Sequence, residues 1–206
     1  GSPHGYSTGQ AMPYPPDHKP KTHARIVRVA ARLFRKDGFQ ATGVDRLMSA
    51  AGLTRGGFYA HFRDKTQLLI ESLERVLDES QENLLGRGLD ALEGEDWARA
   101  AAKRYLSSAH RAGPADGCPV PALGAEVARA PASVQKVFAA RIDGILRQMA
   151  ARLGGGAAGR RRAIQLLSSW VGALLLSRAV GERRLGEEIL AAVRAQANPP
   201  RRRRTH

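Results

Sequence analysis

A single cysteine in 206 residues, Cys118, leaves no partner for a disulfide within the chain and excludes a zinc finger built on several thiolates. Two-cysteine redox pairs, an HExxH helix, a GxSxG elbow and a GxxxxGK[ST] phosphate loop are also missing. No enzymatic role, metal or cofactor is therefore expected. Long apolar runs are lacking too: the longest, 163–176, is interrupted by Gln165, Ser168 and Ser169 and is too short to span a bilayer. The first twenty residues, GSPHGYSTGQAMPYPPDHKP, hold no continuous apolar core of the kind a signal peptide needs. The expectation is a cytoplasmic protein with no membrane partner. Acid is scarce, with 19 Asp and Glu against 33 Lys and Arg and a formal net charge of +14. Such an excess fits a polyanion, because each neutralised phosphate releases counterions, although charge alone would equally suit an anionic membrane surface.

What decides between them is the segment TGVDRLMSAAGLTRGGFYAHFRDK, residues 42–65. Val44, Leu47, Met48 and Ala51 recur at helical spacing and give one apolar face about two turns long. Thr42 is placed to cap that helix, Gly52 to supply a left-handed turn, and Thr54 to cap a second helix. The spacing predicts this second helix over 55–62, with Phe58 and Phe62 four residues apart on a core face. Arg55, Gly56, Gly57, Tyr59 and His61 fall on the other face. The pattern is a helix-turn-helix reader of duplex DNA. Arg55 is the candidate for a guanine edge, the glycines let the backbone approach the groove, and Tyr59, His61 and Lys65 suit phosphates. An upstream helix over 22–36 carries Ile26, Val29, Ala30, Leu33 and Phe34 on one stripe and ends at Gly38. Lys21 and Arg25, near its start, are candidates for DNA contact from a basic arm.

Taken together, IVRVAARLFRKDG (26–38), ATG (41–43), AAGLTRGGFYAHF (50–62) and KTQLL (65–69) resemble the DNA-binding domain of the tetracycline-repressor (TetR) family of bacterial regulators. The resemblance implies three N-terminal helices that bind DNA, a fourth that links them to an all-helical effector domain, and two last helices that build a dimer. It also implies that Thr42, Tyr59, His61 and Lys65 hold phosphates, while Thr54, Arg55 and Gly57 lie along the base edges. The chain departs from the family pattern at Gly43 and Gly57, where a second threonine and a base-reading side chain are common. A glycine inside a helix costs about 1 kcal/mol relative to alanine, so the segment with Gly56 and Gly57 is expected to be marginal until docked.

Beyond the reader, alternation of the strand type is scarce and helical stripes continue, so the expected fold class is all-α. Four parts are expected: a disordered arm over 1–20, the reader over 21–65, an effector-binding and dimerisation domain over 66–197, and a basic tail over 198–206. Helices are predicted over 65–85, 97–112, 122–129, from Pro131 to the glycines at 154–156, and over 160–180 and 185–197. GRGLDA at 86–91 nominally matches a dinucleotide fingerprint, but no strand precedes it. Ile164, Leu167, Val171, Leu174 and Leu175 form one stripe near the end of the chain, and Ile189, Leu190 and Val193 form another. Together they exceed the needs of one small core and point to a two-fold homodimer, which suits the paired half-sites of a pseudo-palindromic operator.

Trp97, Tyr105, His110, Phe138, Met149 and Trp170 are the candidate lining of the effector pocket that the resemblance implies, and their character suits a small, largely apolar molecule. Cys118 joins them. In Gly117-Cys118-Pro119, at a junction of loop and helix, backbone N–H groups are expected to lower the thiol pKa and allow sensing of electrophiles or oxidants. The expected function is a sequence-specific homodimeric repressor released from DNA by a small-molecule effector, with thiol sensing as an alternative trigger. The competing reading is a nonspecific architectural DNA binder of the nucleoid type.

Overall fold

The computed structural model describes residues 18–197, so the basic tail and most of the expected N-terminal arm lie outside it. Every regular element among the described residues is helical. The head consists of α1 (His18–Asp37), α2 (Val44–Ala50) and a short 3-10 helix (Arg55–Ala60). α3 (Lys65–Gln81) leaves it, its first turn capped by Asp64, whose carboxylate accepts from the Gln67 amide at 2.8 Å. After a π turn at Glu82–Gly86 come α4 (Gly94–Tyr105), α5 (Ser108–Ala112), α6 (Val120–Val127), α7 (Ala132–Arg152), α8 (Gly156–Ala179) and α9 (Arg183–Gln196).

Two boundaries differ from the sequence expectation for identifiable reasons. α1 starts at His18, so 18–20, assigned above to the disordered arm, are helical; Pro20 sits in the first turn, where no backbone N–H is required. The single helix expected over 97–112 is two, because Ser107 is extended and its hydroxyl accepts from the His110 amide at 3.1 Å, starting α5 afresh.

Ile26, Ala30 and Phe34 of α1 meet Leu47 and Met48 of α2, Phe58, Phe62 and Leu68 in a head core whose members are at most 1% exposed. Full burial of each of these side chains larger than alanine is worth about 1.5–3 kcal/mol. Leu73 and Leu77 of α3 carry the same apolar cluster into the larger half, where Trp97, Tyr105, Ile145 and Trp170 continue it. Charge divides differently. Residues 18–65 hold 11 Lys and Arg against 3 Asp and Glu, whereas 66–197 hold 18 against 15. Among the described residues no helix is long and apolar enough to cross a membrane.

Candidate nucleic-acid interface

α2 and the 3-10 helix meet at a tight turn: Gly52 has φ +67°, and the Leu53 amide donates back to the Met48 carbonyl at 2.9 Å. Thr54 stands extended at the next N-cap, though its side chain accepts no capping bond. The second helix is shorter and more tightly wound than the α-helix expected over 55–62. Its bonds run from the Gly57 amide to Thr54 and from the His61 amide to Phe58, as two adjacent glycines give an α-helix little support. Phe58 and Phe62 are buried, as expected, and act as the anchors that present the opposite face.

That face exposes Arg55, Gly56 and Tyr59, with Gly57 partly covered. The Tyr59 ring packs edge-on against Phe58 with centroids 5.2 Å apart, which fixes the direction of a side chain that is otherwise 67% exposed. The Arg55 guanidinium donates to the Asp45 carboxylate at 3.0 Å. Both side chains are two-thirds exposed, so opening this pair costs little. Asp45 was not singled out from sequence; an acidic residue in the first turn of α2 was the available signal. Lys21 and Arg25 are exposed and lie four residues apart on α1 itself, not on an extended arm.

Two expected phosphate ligands are placed otherwise. Thr42 does not cap α2, whose N-cap is Gly43; its side chain is fully buried and donates to the Gly38 carbonyl at 2.6 Å. The hydroxyl therefore belongs to the turn after α1 and is shielded from any phosphate. His61 is half-buried, with its ring 6.0 Å from that of His23. Lys65 is half-buried. Its ammonium lies 4.2 Å from the Phe39 ring centroid and donates to the Phe39 carbonyl, using one of its three N–H groups. Desolvation lowers its pKa, and the nearby Glu126 opposes that shift.

Glu126 is the most consequential residue that sequence reasoning missed. It projects from α6, and its carboxylate accepts from the Phe39 and Gln40 amides at 2.9 and 3.2 Å, holding the turn between α1 and α2. Gly38 sits beneath it at φ +89°, where a Cβ would come within 2.6 Å of the carboxylate. A second bridge runs through the loop before α6. Asp116 pairs with Arg32 at 2.5 Å, and the Gly117 carbonyl accepts from Arg35 at 3.3 Å and from the Ser80 hydroxyl at 3.5 Å.

Behind that loop the candidate effector residues separate into groups. Tyr105 and Cys118 line a cavity of about 10 Å³ with Leu77, Leu85, Ile142 and Ile145. Trp97 and Met149 line an adjoining cavity of about 120 Å³ that shares Leu85 and Ile145 and reaches Glu82 and Arg152. His110, Phe138 and Trp170 line neither. His110 is a structural bridge: one ring nitrogen bonds the Tyr105 carbonyl at 2.6 Å and the other accepts from the Cys118 amide at 2.9 Å. That assignment requires a neutral ring, and desolvation lowers its pKa accordingly. The expectation for Cys118 is reversed. Burial pushes its thiol up, outweighing the Tyr105 hydroxyl and the Val120 amide, so the thiolate that would sense electrophiles is disfavoured.

The two C-terminal stripes divide as well. Leu167, Leu174 and Leu190, expected at a dimer interface, are buried in the core of the single chain. Ile164 and Leu175 are exposed, and Val171, Ile189 and Val193 are half-buried. Leu176, Val180 and Leu185 are exposed beside them and were missed. In Leu174-Leu175-Leu176, successive residues turn about 100° around the helix, so a run of leucines serves two faces.

The sequence profile of the bacterial regulatory proteins of the tetR family matches residues 26–71. AcrR of Shigella flexneri, an HTH-type transcriptional regulator, is 43% identical over 54 residues, covering 26% of this chain and 25% of that protein. YerO of Bacillus subtilis (strain 168), an uncharacterized HTH-type transcriptional regulator, is 37% identical over 60 residues, covering 29% and 21%. The chain thus matches a quarter or less of the length of these curated relatives. A TetR transcriptional regulator from Chloroflexus aurantiacus shares the fold across 87% of this chain and 96% of its own, with a TM-score of 0.72 and 22% identity.

Proposed function

This chain is a member of the tetR family of bacterial regulatory proteins through residues 26–71, and on that premise we propose that it is a homodimeric transcriptional repressor. It binds a pseudo-palindromic DNA operator and leaves it when a small molecule enters the helical half. The observation that carries this reading is the head itself. A strongly basic unit presents Arg55 and Tyr59 on a short element pinned from behind by Phe58 and Phe62, with two glycines that let backbone approach a groove. On this reading residues 18–65 read DNA, and 66–197 bind the effector and dimerise.

Three features support the rest. The exposed Ile164, Leu175 and Leu176 of α8, with Val180 just after it, form an apolar surface that a two-fold partner would cover. The cavity at Tyr105 and Cys118 is far smaller than the 300–1,000 Å³ typical of ligand sites, so an occupant must move its walls. One wall is the loop whose Asp116 and Gly117 hold Arg32 and Arg35 of α1, and the Glu126 clamp follows on α6. Release needs only that the effector bind the displaced arrangement better than the DNA-competent one.

Selection of bound fragments from random and genomic DNA tests the proposal. The expected result is one short two-fold pseudo-palindrome bound at least about 10³-fold more tightly than random DNA at matched salt. Affinity that is uniform across sequences would establish an architectural binder instead. Within the operator, Arg55→Ala relaxes the preference at one position per half-site by about 1–3 kcal/mol. An equal loss on every sequence removes Arg55 from the role of base reader.

A further inference from the structure

We propose that the junction between the head and the helical half holds a site for a small hydroxy monocarboxylate, with Arg35 taking the carboxylate. The site adjoins the cavity at Tyr105 and Cys118 through Ser80 and Leu84 but has a polar lining of its own. It is tested without DNA, so it stands or falls apart from the regulator reading.

Arg35, near the end of α1, is only 8% exposed, and an arginine so buried is almost always paired. Among the described residues it makes no ion pair. Its single hydrogen bond runs from Nη1 to the Gly117 carbonyl at 3.3 Å, and its Nε is fully buried with no partner. The two carboxylates that line the same cavity are held by other arginines. Asp116 pairs with Arg32 at 2.5 Å, and Glu79 with Arg75 at 2.6 Å. Burial lowers the Arg35 pKa against the opposing pull of Asp116 and Glu79, yet a guanidinium keeps its proton inside a protein. A charge held out of water with so few bonds calls for an anion.

With Glu79, Ser80, Asn83, Leu84 and Asp116, Arg35 lines a cavity of about 280 Å³, just under the roughly 300 Å³ at which ligand pockets begin. Arg35 and Ser80 are buried, whereas Glu79, Asn83 and Asp116 are exposed, so the cation lies deep and the rim is polar. The Asn83 backbone is fixed by its carbonyl, which accepts from Arg104 at 3.0 Å, while its side-chain amide makes no bond among the described residues. These groups select one chemistry. The planar guanidinium fork matches a carboxylate. The rim carboxylates repel a second negative charge, such as a dicarboxylate or a phosphate would bring, and accept from a hydroxyl instead. Leu84 is the one apolar side chain in the lining, which keeps the body of the ligand short.

The test is calorimetric titration of the full chain with lactate and with lactamide, its neutral isostere, at matched ionic strength. Lactate should bind at least about tenfold more tightly, the worth of one charge-assisted contact. Arg35→Met should abolish lactate binding and, without ligand, melt at or above the parent temperature, because it removes an uncompensated buried cation. Asn83→Asp, at the exposed rim, should leave the melting temperature unchanged and weaken lactate several-fold by adding a third carboxylate. Equal binding of the two probes, binding of neither, or lactate binding that survives Arg35→Met would overturn the proposal. So would chloride or inorganic phosphate that displaces lactate at equal concentration, which marks an unselective anion site. A lower melting temperature for Arg35→Met would show that the guanidinium is already satisfied inside the chain, and lactate affinity unmoved by Asn83→Asp would place the ligand elsewhere; either result also overturns the proposal.

Discussion

Replacing both Gly56 and Gly57 with alanine should stabilise the protein and weaken its grip on DNA at the same time. Neither glycine has a positive φ, and a Cβ at Gly56 meets nothing within 4 Å. At Gly57 the new methyl would touch the Met48 Cε at 3.6 Å, an ordinary packing distance against the head core. The backbone therefore accepts alanine at both sites, and the unfolded chain loses freedom. Each substitution is worth about 0.4–1 kcal/mol by that route, so the pair should add roughly 1–2 kcal/mol. In a chain of this size each kcal/mol raises the melting temperature by about 2–4 °C. Opposing this, the Gly56 methyl stands in open space on the face that carries Arg55 and Tyr59, where it holds the backbone away from the groove. The assay pairs thermal denaturation with anisotropy titration of the selected operator at fixed salt. The reasoning fails if the double variant melts lower than the parent, because the alanines then do not fit. It fails equally if operator affinity is unchanged, because the glycines then do not lie against DNA.

Gly38→Ala should destabilise the chain by about 1–2 kcal/mol in chemical denaturation, since a left-handed conformation at φ +89° disfavours any Cβ and the Glu126 carboxylate must also retreat. Glu126→Gln should leave the head able to bind DNA but reduce the effect of an effector on operator affinity, measured as the ratio of dissociation constants with and without ligand; an unchanged ratio removes the clamp from the coupling path. Leu176→Asp should leave the monomer folded and shift sedimentation toward a single chain, with loss of binding to a full operator; a persistent dimer would place the interface elsewhere. Stability should also fall with acid. His110 has a folded pKa below the ordinary value of 6.5, so the unfolded chain takes up the proton first. Its contribution is complete above pH 6.5 and is lost as pH falls below it toward the folded pKa, a slope that denaturation curves for His110→Gln should lack.

Local periodicity carried the elements and much of the head. The spacing of Ile26, Ala30 and Phe34 and the pair Phe58 and Phe62 belong to one core because side chains three or four apart share a helix face. Winding and tertiary partners were not legible in that way. Thr42 has the composition of a cap, but the nearer acceptor is the Gly38 carbonyl, and burial settles the choice. Nothing local marks Glu126, whose partners lie 87 and 86 residues away, or Asp116, paired with Arg32 at a separation of 84. Cys118 looks reactive in sequence, whereas in the fold its amide donates to the His110 ring and burial disfavours the charged form of both side chains. Neighbouring leucines 174 to 176 could not be divided between two faces until α8 was seen packed against α7 and α9.

The winding of the Arg55–Ala60 element makes it a ruler as well as a platform. A 3-10 helix rises about 2.0 Å per residue and an α-helix 1.5 Å. Over the four steps from Arg55 to Tyr59 the difference is about 2 Å, more than half of the roughly 3.4 Å rise along the duplex axis per phosphate of one strand. If Tyr59 is seated on a phosphate, the pitch of this one turn then decides which base step Arg55 faces. Two relatives with identical contact residues but different winding here would read operators offset by part of a base pair.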